Sequence, residues 1–257
     1  MTAARRATAL TLVVRGARSL RQVRRKLSSQ QQVWDRALPG EADFWSEWIA
    51  TRGLDWPREF ERRFDAAQPL SESLVLDVLD RIAADEVRIL DVGAGPATSL
   101  GKTHPAKRLE IAAVDPLADD YARLLAEAGL RAPMRTQQVA GEQLSRAFEA
   151  ESFDVAYARN AIDHAVDPAR IVREMLAVVR PGGFVVLRHY ENEAETEGYE
   201  GLHQWNFCLQ DDRLVICNER RRIDVAAELE GEPAVEAAVS GGSDHAAYVT
   251  AVIERSG

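Results

Sequence analysis

The chain has 257 residues and a formal net charge of −9 at pH 7, long enough for one substantial buried core with appendages. No apolar run approaches the roughly 20 residues that a membrane helix needs, and two cysteines, Cys208 and Cys217, read as free thiols near strand-like segments rather than a disulfide framework. Residues 1–27 carry eight basic side chains and no acid, so the remainder carries −17 (−9 less +8); a body that acidic argues for a small-molecule substrate and against nucleic acid.

Residues 1–30 form the first unit, a basic arm. Leu10, Val13, Val14, Ala17, Leu20, Val23 and Leu27 share about half of a helical wheel. The apolar part is too short for a secretory signal, so a cytoplasmic setting is expected. A partner-binding or membrane-surface arm, a contact between copies of the chain, and a loose tail docked on the acidic body all remain open.

Residues 31–85 form the second unit, a helical cap. Trp34, Trp45, Trp48 and Trp56 cluster here with Phe44, Phe60 and Phe64. Glu41 to Thr51 has helical spacing, with Trp45 and Trp48 on one side. These tryptophans are either core filler or a lid over a ligand crevice. Leu74, Leu76, Val78, Leu79 and Ile82 mark an amphipathic helix over residues 70–84.

Residues 86–257 form the main domain. Val87 to Val92 reads as a buried parallel strand, followed by Gly93-Ala94-Gly95. The two glycines permit a sharp turn and close approach of a ligand to the backbone. A helix beginning near Thr98 would aim its free N–H groups at the same ligand. Leu109 to Asp115 is a second strand with an acid at its carboxyl end, able to accept both hydroxyls of an adenosine ribose. A helix over 118–128 and a third strand near 134–139 follow. Phe153 to Ala158 is the fourth strand, then Asn160 to Pro168, a helix over 169–179 stopped by Arg180-Pro181-Gly182-Gly183, and a fifth strand over 184–187. A hairpin near 207–217 and two closing strands, 234–239 and 247–254, complete the chain.

Asp91-Val92-Gly93-Ala94-Gly95, Asp115-Pro116 and the order FDVAYARNAIDH, DP, helix, RPGGFVVL resemble the class I S-adenosylmethionine-dependent methyltransferases over residues 86–190. Thr98 stands where a dinucleotide fingerprint has its third glycine, which weakens a nicotinamide-dependent oxidoreductase reading. The resemblance implies an α/β, doubly wound, mostly parallel seven-stranded sheet with an N-terminal helical cap. It also implies S-adenosylmethionine as cofactor, S-adenosylhomocysteine as product, and a small-molecule acceptor. Oxygen methylation of a sugar or secondary metabolite is the leading expectation, with nitrogen or carbon acceptors and non-methylating chemistry as alternatives.

The cofactor-binding residues implied are Asp91, Gly93, Ala94, Gly95, Asp115, Pro116 and Asn160. The family's acid after the third strand is replaced by Ala140, so Gly141 or Glu142 would have to meet the adenine. An oxygen acceptor needs a base, and His164 is the first candidate because imidazole titrates near neutrality. Asp163 beside it and His189 complete the catalytic set, with His203 as a rival. The same histidines with Asp163 and Glu191 could instead hold a divalent metal, but no ligand spacing is diagnostic and no metal is assigned.

Overall fold

The computed structural model describes residues 28–229, 234–241 and 247–256. Expectations for the arm over residues 1–27 therefore fall outside the described residues. The central sheet contains β1 (Glu86–Val92), β2 (Arg108–Asp115), β3 (Thr136–Gln138), β4 (Phe153–Arg159), β5 (Val179–Tyr190), β9 (Ala234–Ser240) and β10 (Tyr248–Glu254). A second sheet holds β6 (Asn206–Gln210), β7 (Arg213–Cys217) and β8 (Arg222–Asp224).

The seven strands run in the order β3-β2-β1-β4-β5-β10-β9. β10 is antiparallel to both its neighbours, and β1 to β5 are mutually parallel. The strand order reverses between β1 and β4, which opens a crevice at their carboxyl ends. The fold class expected from the sequence is the one observed.

Helices α1 (Gln30–Ala50), α2 (Pro57–Phe64), α3 (Ser73–Arg81), α4 (Ala118–Glu127) and α5 (Pro168–Val178) flank the sheet. α3 sets Val75, Val78 and Leu79 against Ile89, Val155 and Val186 on one face. α5 sets Ile171, Val172 and Met175 against Leu90, Ala156 and Leu187 on the other, with Trp205, Phe207 and Ile216 from the small sheet extending that core. Asp167 caps α5 by accepting from the Arg170 N–H, and Pro168 occupies its first turn. Met175 and Leu79 are wholly buried, and truncating either to alanine costs about 2–5 kcal/mol.

Four features differ from expectation. No helix follows Gly95: residues 96–107 are turns and bends. There the Thr98 hydroxyl donates to Asp91 instead of opening a helix, and Gly101 packs so tightly on the backbone of Pro69 that a Cβ would lie 2.1 Å from its carbonyl oxygen. α1 starts at Gln30, not near Glu41, because Ser29 and Gln32 form a capping box; Pro39 within it obscured the helical signal. β5 begins at Val179 and includes Arg180 to Gly183, with an irregular register where Phe153 pairs with Val179. β8 is an additional short strand paired with β7. Cys208 is buried and Cys217 half-buried, both as free thiols.

Candidate functional site

Two cavities meet at the carboxyl ends of β1, β2 and β4. The first, of about 500 Å³, is walled by Gly93, Gly95, Asp115, Pro116, Ala140, Gly141, Glu142, Asn160 and Ile162, with Trp34 and Trp45 from α1. The second, of about 960 Å³, lies under the cap and is walled by Phe44, Trp45, Trp48, Trp56, Arg63, Ala94, Arg159, Tyr190, Glu193 and His203. Gly93, Asn160, His164, Glu41, Trp45 and Leu202 belong to both walls.

The first cavity is shaped by the glycine turn. Gly93 and Gly95 have φ of +75° and +66°, a region that side chains rarely adopt. A Cβ on Gly93 would lie 2.3 Å from the Ala161 Cβ, and one on Gly95 would lie 3.0 Å from the Trp45 ring. The turn is locked by Asp115: one carboxylate oxygen accepts from the Gly95 N–H at 3.1 Å and the other from the Leu117 N–H at 2.9 Å. Each oxygen keeps a lone pair for a ligand. Burial raises the Asp115 carboxyl from 3.8 to about 7, against the opposing effect of these two N–H groups. A buried carboxylate without a cationic partner, set in the wall of a cavity of nucleoside size, fits an adenosine ribose that donates two hydroxyls.

The remaining cofactor candidates are placed unevenly. Gly93, Gly95, Asp115, Pro116, Gly141, Glu142 and Asn160 all line the first cavity. Ala94 lines only the second, and its carbonyl accepts from Arg63. Asp91 stands apart from the others: it lines neither described cavity, lies buried below the turn, and accepts the Thr98 hydroxyl. Burial raises its carboxyl from 3.8 to about 6. Glu142 is partly committed elsewhere, since one carboxylate oxygen accepts from the Val166 and Asp167 N–H groups at 3.1 and 3.3 Å. Asn160, at φ +45°, steadies β5 by accepting the Tyr190 N–H on its side-chain oxygen.

His164 stands at the junction of the cavities, on the short turn Ile162–His164 after β4. Asp163 lies beneath it, 1 % exposed. The loop before β6 brings His203 to the same point. Gln204 N–H donates to the Asp163 carbonyl at 3.2 Å, and the Trp205 ring N–H donates to the Ala165 carbonyl at 2.9 Å. One Asp163 oxygen is 3.0 Å from His203 Nδ1 and 3.3 Å from His164 Nε2, and those two nitrogens are 3.1 Å apart. Burial works against ionisation of Asp163, but the neighbouring histidines outweigh it and hold the carboxyl well below the usual range. Burial and the Asp163 charge push Glu193 up to about 8.

His189 also stands apart from the cavities. It is wholly buried, stacked on Phe207 with ring centroids 4.0 Å apart, and lines neither described cavity. It faces Asp163 from behind at 3.7 Å. Besides Asp163, the carboxylates near the histidines are Glu193, 3.8 Å from His203, and Glu41, 3.9 Å from His164. Sequence reasoning missed Glu193, Glu41 and Arg159. No local pattern marks them, because each reaches the site from a different element.

Residues 90–187 match the protein family described as "Methyltransferase domain". Demethylmenaquinone methyltransferase of Paenarthrobacter aurescens is 27% identical over 150 residues, covering 53% of this chain and 56% of that protein. The chloroplastic tocopherol O-methyltransferase of Arabidopsis thaliana is 29% identical over 127 residues, covering 48% of this chain and 36% of that one. The chain thus spans about half or less of the curated relatives it matches. Among solved structures, the CurJ carbon methyltransferase superposes with a TM-score of 0.51 at 15% identity, over 72% of this chain and 53% of that one, a likeness of fold. Residues 90–187 thus carry a methyltransferase domain, and the strand order around them is that of the class I methyltransferase fold.

Proposed function

We propose that the chain transfers the methyl group of S-adenosylmethionine to an oxygen atom of a small molecule held in the larger cavity, a sugar or a secondary metabolite. The observation that carries this is the shared wall: Gly93, Asn160 and His164 border both cavities, so a donor in one and an acceptor in the other meet there. When bound, the cofactor supplies an electrophilic methyl on a sulfonium.

Asp115 holds the ribose end, and the glycine turn admits the chain close to the ligand. Ala140 and Gly141 leave room for an adenine, and Gly141 backbone groups or the free Glu142 oxygen would meet it there. The aromatic roof of Trp45, Trp48 and Phe44 excludes water and fixes the line of attack, which is where alignment and preorganised polarity lower a displacement barrier. His164, backed by Asp163, is the residue we assign to the loss of the acceptor's proton, since a neutral hydroxyl is a poor nucleophile. The relatives named for demethylmenaquinone and tocopherol support a small-molecule acceptor, as does the acidic body.

The test is incubation of the chain with isotope-labelled S-adenosylmethionine and a panel of sugars, phenols and hydroxylated metabolites. Label on oxygen, located by NMR, is the expected result. Label on carbon or nitrogen would overturn the oxygen assignment. Failure to bind S-adenosylhomocysteine by calorimetry would overturn the functional reading itself.

A further inference from the structure

The Asp163–His164–His203 cluster contains more acceptor atoms than protons can satisfy. Asp163 Oδ2, His164 Nε2 and His203 Nδ1 form a triangle with edges of 3.0, 3.1 and 3.3 Å. Hydrogen bonds cannot close that triangle. If both imidazoles donate to the carboxylate, two N–H groups face each other; if only one donates, the bare nitrogen of the other faces an anionic oxygen. One edge is repulsive in every arrangement of protons on two neutral rings.

A cation closes all three edges at once, because each atom offers it a lone pair. Ligand bonds of about 2.0–2.1 Å, those of zinc to imidazole nitrogen and carboxylate oxygen, set neighbouring ligand atoms roughly 2.8–3.4 Å apart in octahedral or tetrahedral coordination. The observed edges lie in that range.

A second observation points the same way. Asp163 Oδ1 and both ring nitrogens of His189 are buried with no hydrogen-bond partner among the described residues, and His189 Nδ1 lies 3.7 Å from that oxygen. Unmatched polar atoms at full burial are costly. A small shift of the carboxylate onto a cation would let His189 donate to Oδ1, the kind of outer support that orients metal ligands. Glu193 Oε2 is also buried with no hydrogen-bond partner among the described residues, and Glu193 Oε1 lies 3.8 Å from His203 Nδ1, so this carboxylate is placed to serve as a fourth ligand on the cavity side.

We infer that Asp163, His164 and His203 form a divalent metal site facing the acceptor cavity, with His189 as its positioning residue. Two imidazoles and a carboxylate suit manganese, iron, cobalt, nickel or zinc rather than magnesium or calcium. The site rests on this geometry. Its use in methyl transfer rests on the proposed function: a cation there lowers the pKa of an oxygen reaching it from the cavity, so His164 serves proton loss as a ligand.

The experiment is titration of chelator-stripped full-length protein with Co²⁺, read by visible absorption and calorimetry. One equivalent bound with a ligand-field spectrum is expected. Asp163→Asn and His203→Ala should abolish that spectrum, His189→Ala should weaken binding about 10–100-fold, and His104→Gln, away from the cluster, should leave it intact. His203 is partly exposed, so its variant should fold even if that of Asp163 does not, and melting curves establish this. No stoichiometric uptake, or equal uptake by folded His203→Ala, would overturn the site. Unimpaired S-adenosylhomocysteine binding in the stripped protein keeps the two proposals separable: its absence counts against the functional reading, and methyl transfer undiminished in chelator counts against the metal.

Discussion

Asp115 carries two separate consequences at the level of a single side chain. The folded chain without ligand holds its proton up to about pH 7, whereas the unperturbed group releases it near 3.8. Between those values the unfolded state binds fewer protons, so this residue makes stability fall as pH rises through that window. Asp115→Asn should flatten that part of the melting-temperature profile. Ribose hydroxyls donate to the ionised form, so S-adenosylhomocysteine affinity should rise roughly tenfold from pH 6 to 8, a trend that calorimetry would show lost in Asp115→Ala, along with about 1–3 kcal/mol of binding. His164→Ala should lower kcat by about 10²–10⁴-fold with nearly unchanged cofactor affinity. Near-normal turnover in a folded mutant would leave His164 a structural member of its loop. The place of Asp115 in the cavity wall was legible from its position at the end of an apolar run. Asp91 looked equivalent, but it lies below the cavity wall and the Thr98 hydroxyl donates to one of its oxygens from a turn that the sequence did not reveal.

α1 joins two roles that looked like alternatives at the level of elements. Trp48 and Ile49 are buried against Phe60 and Leu125, so that end of the helix is core. Trp34, Leu38, Glu41 and Trp45 border the first cavity, so the middle is roof. Trp45 is held there by its ring N–H on Glu41 at 2.8 Å and by edge contacts with Tyr121 and Trp48. Hydrogen exchange should therefore show residues 34–45 gaining protection with S-adenosylhomocysteine while 48–50 stay unchanged. Equal protection with and without ligand would make the whole helix core. Gly95→Ala tests the same contact from below: φ +66° and a 3.0 Å approach to Trp45 should cost about 1–3 kcal/mol of stability and loosen the roof.

The sheet of the whole molecule presents the crevice, and ligand occupancy should stabilise everything built on it. Ligand at about 100 times its Kd adds about 2.7 kcal/mol, which for a chain of this size raises Tm by roughly 5–10 °C. A scan showing no shift with S-adenosylhomocysteine would contradict the cradle at Asp115. Among the described residues no helix is long and apolar enough to cross a membrane. The small sheet β6–β8 also serves the site, because burying Trp205 and Phe207 in the main core pulls the loop bearing His203 over Asp163.

The sequence by itself determined the strand–turn–strand frame over residues 86–190 and the Gly93, Gly95 and Asp115 positions in the wall of the first cavity. Apolar runs, glycines and chain-end acids are local signals with local causes. It also placed His164 just beyond β4, since that placement follows from strand order alone. Only the tertiary structure decided which histidines meet. His203 arrives from a loop 39 residues further on, while His189, closer in sequence, turns into the core because strand alternation points it away from the crevice. The missing helix after β1 was likewise decided by packing, through Gly101 against Pro69 and Thr98 on Asp91. The roof over the site depends on where a capped helix docks, which spacing within that helix cannot state.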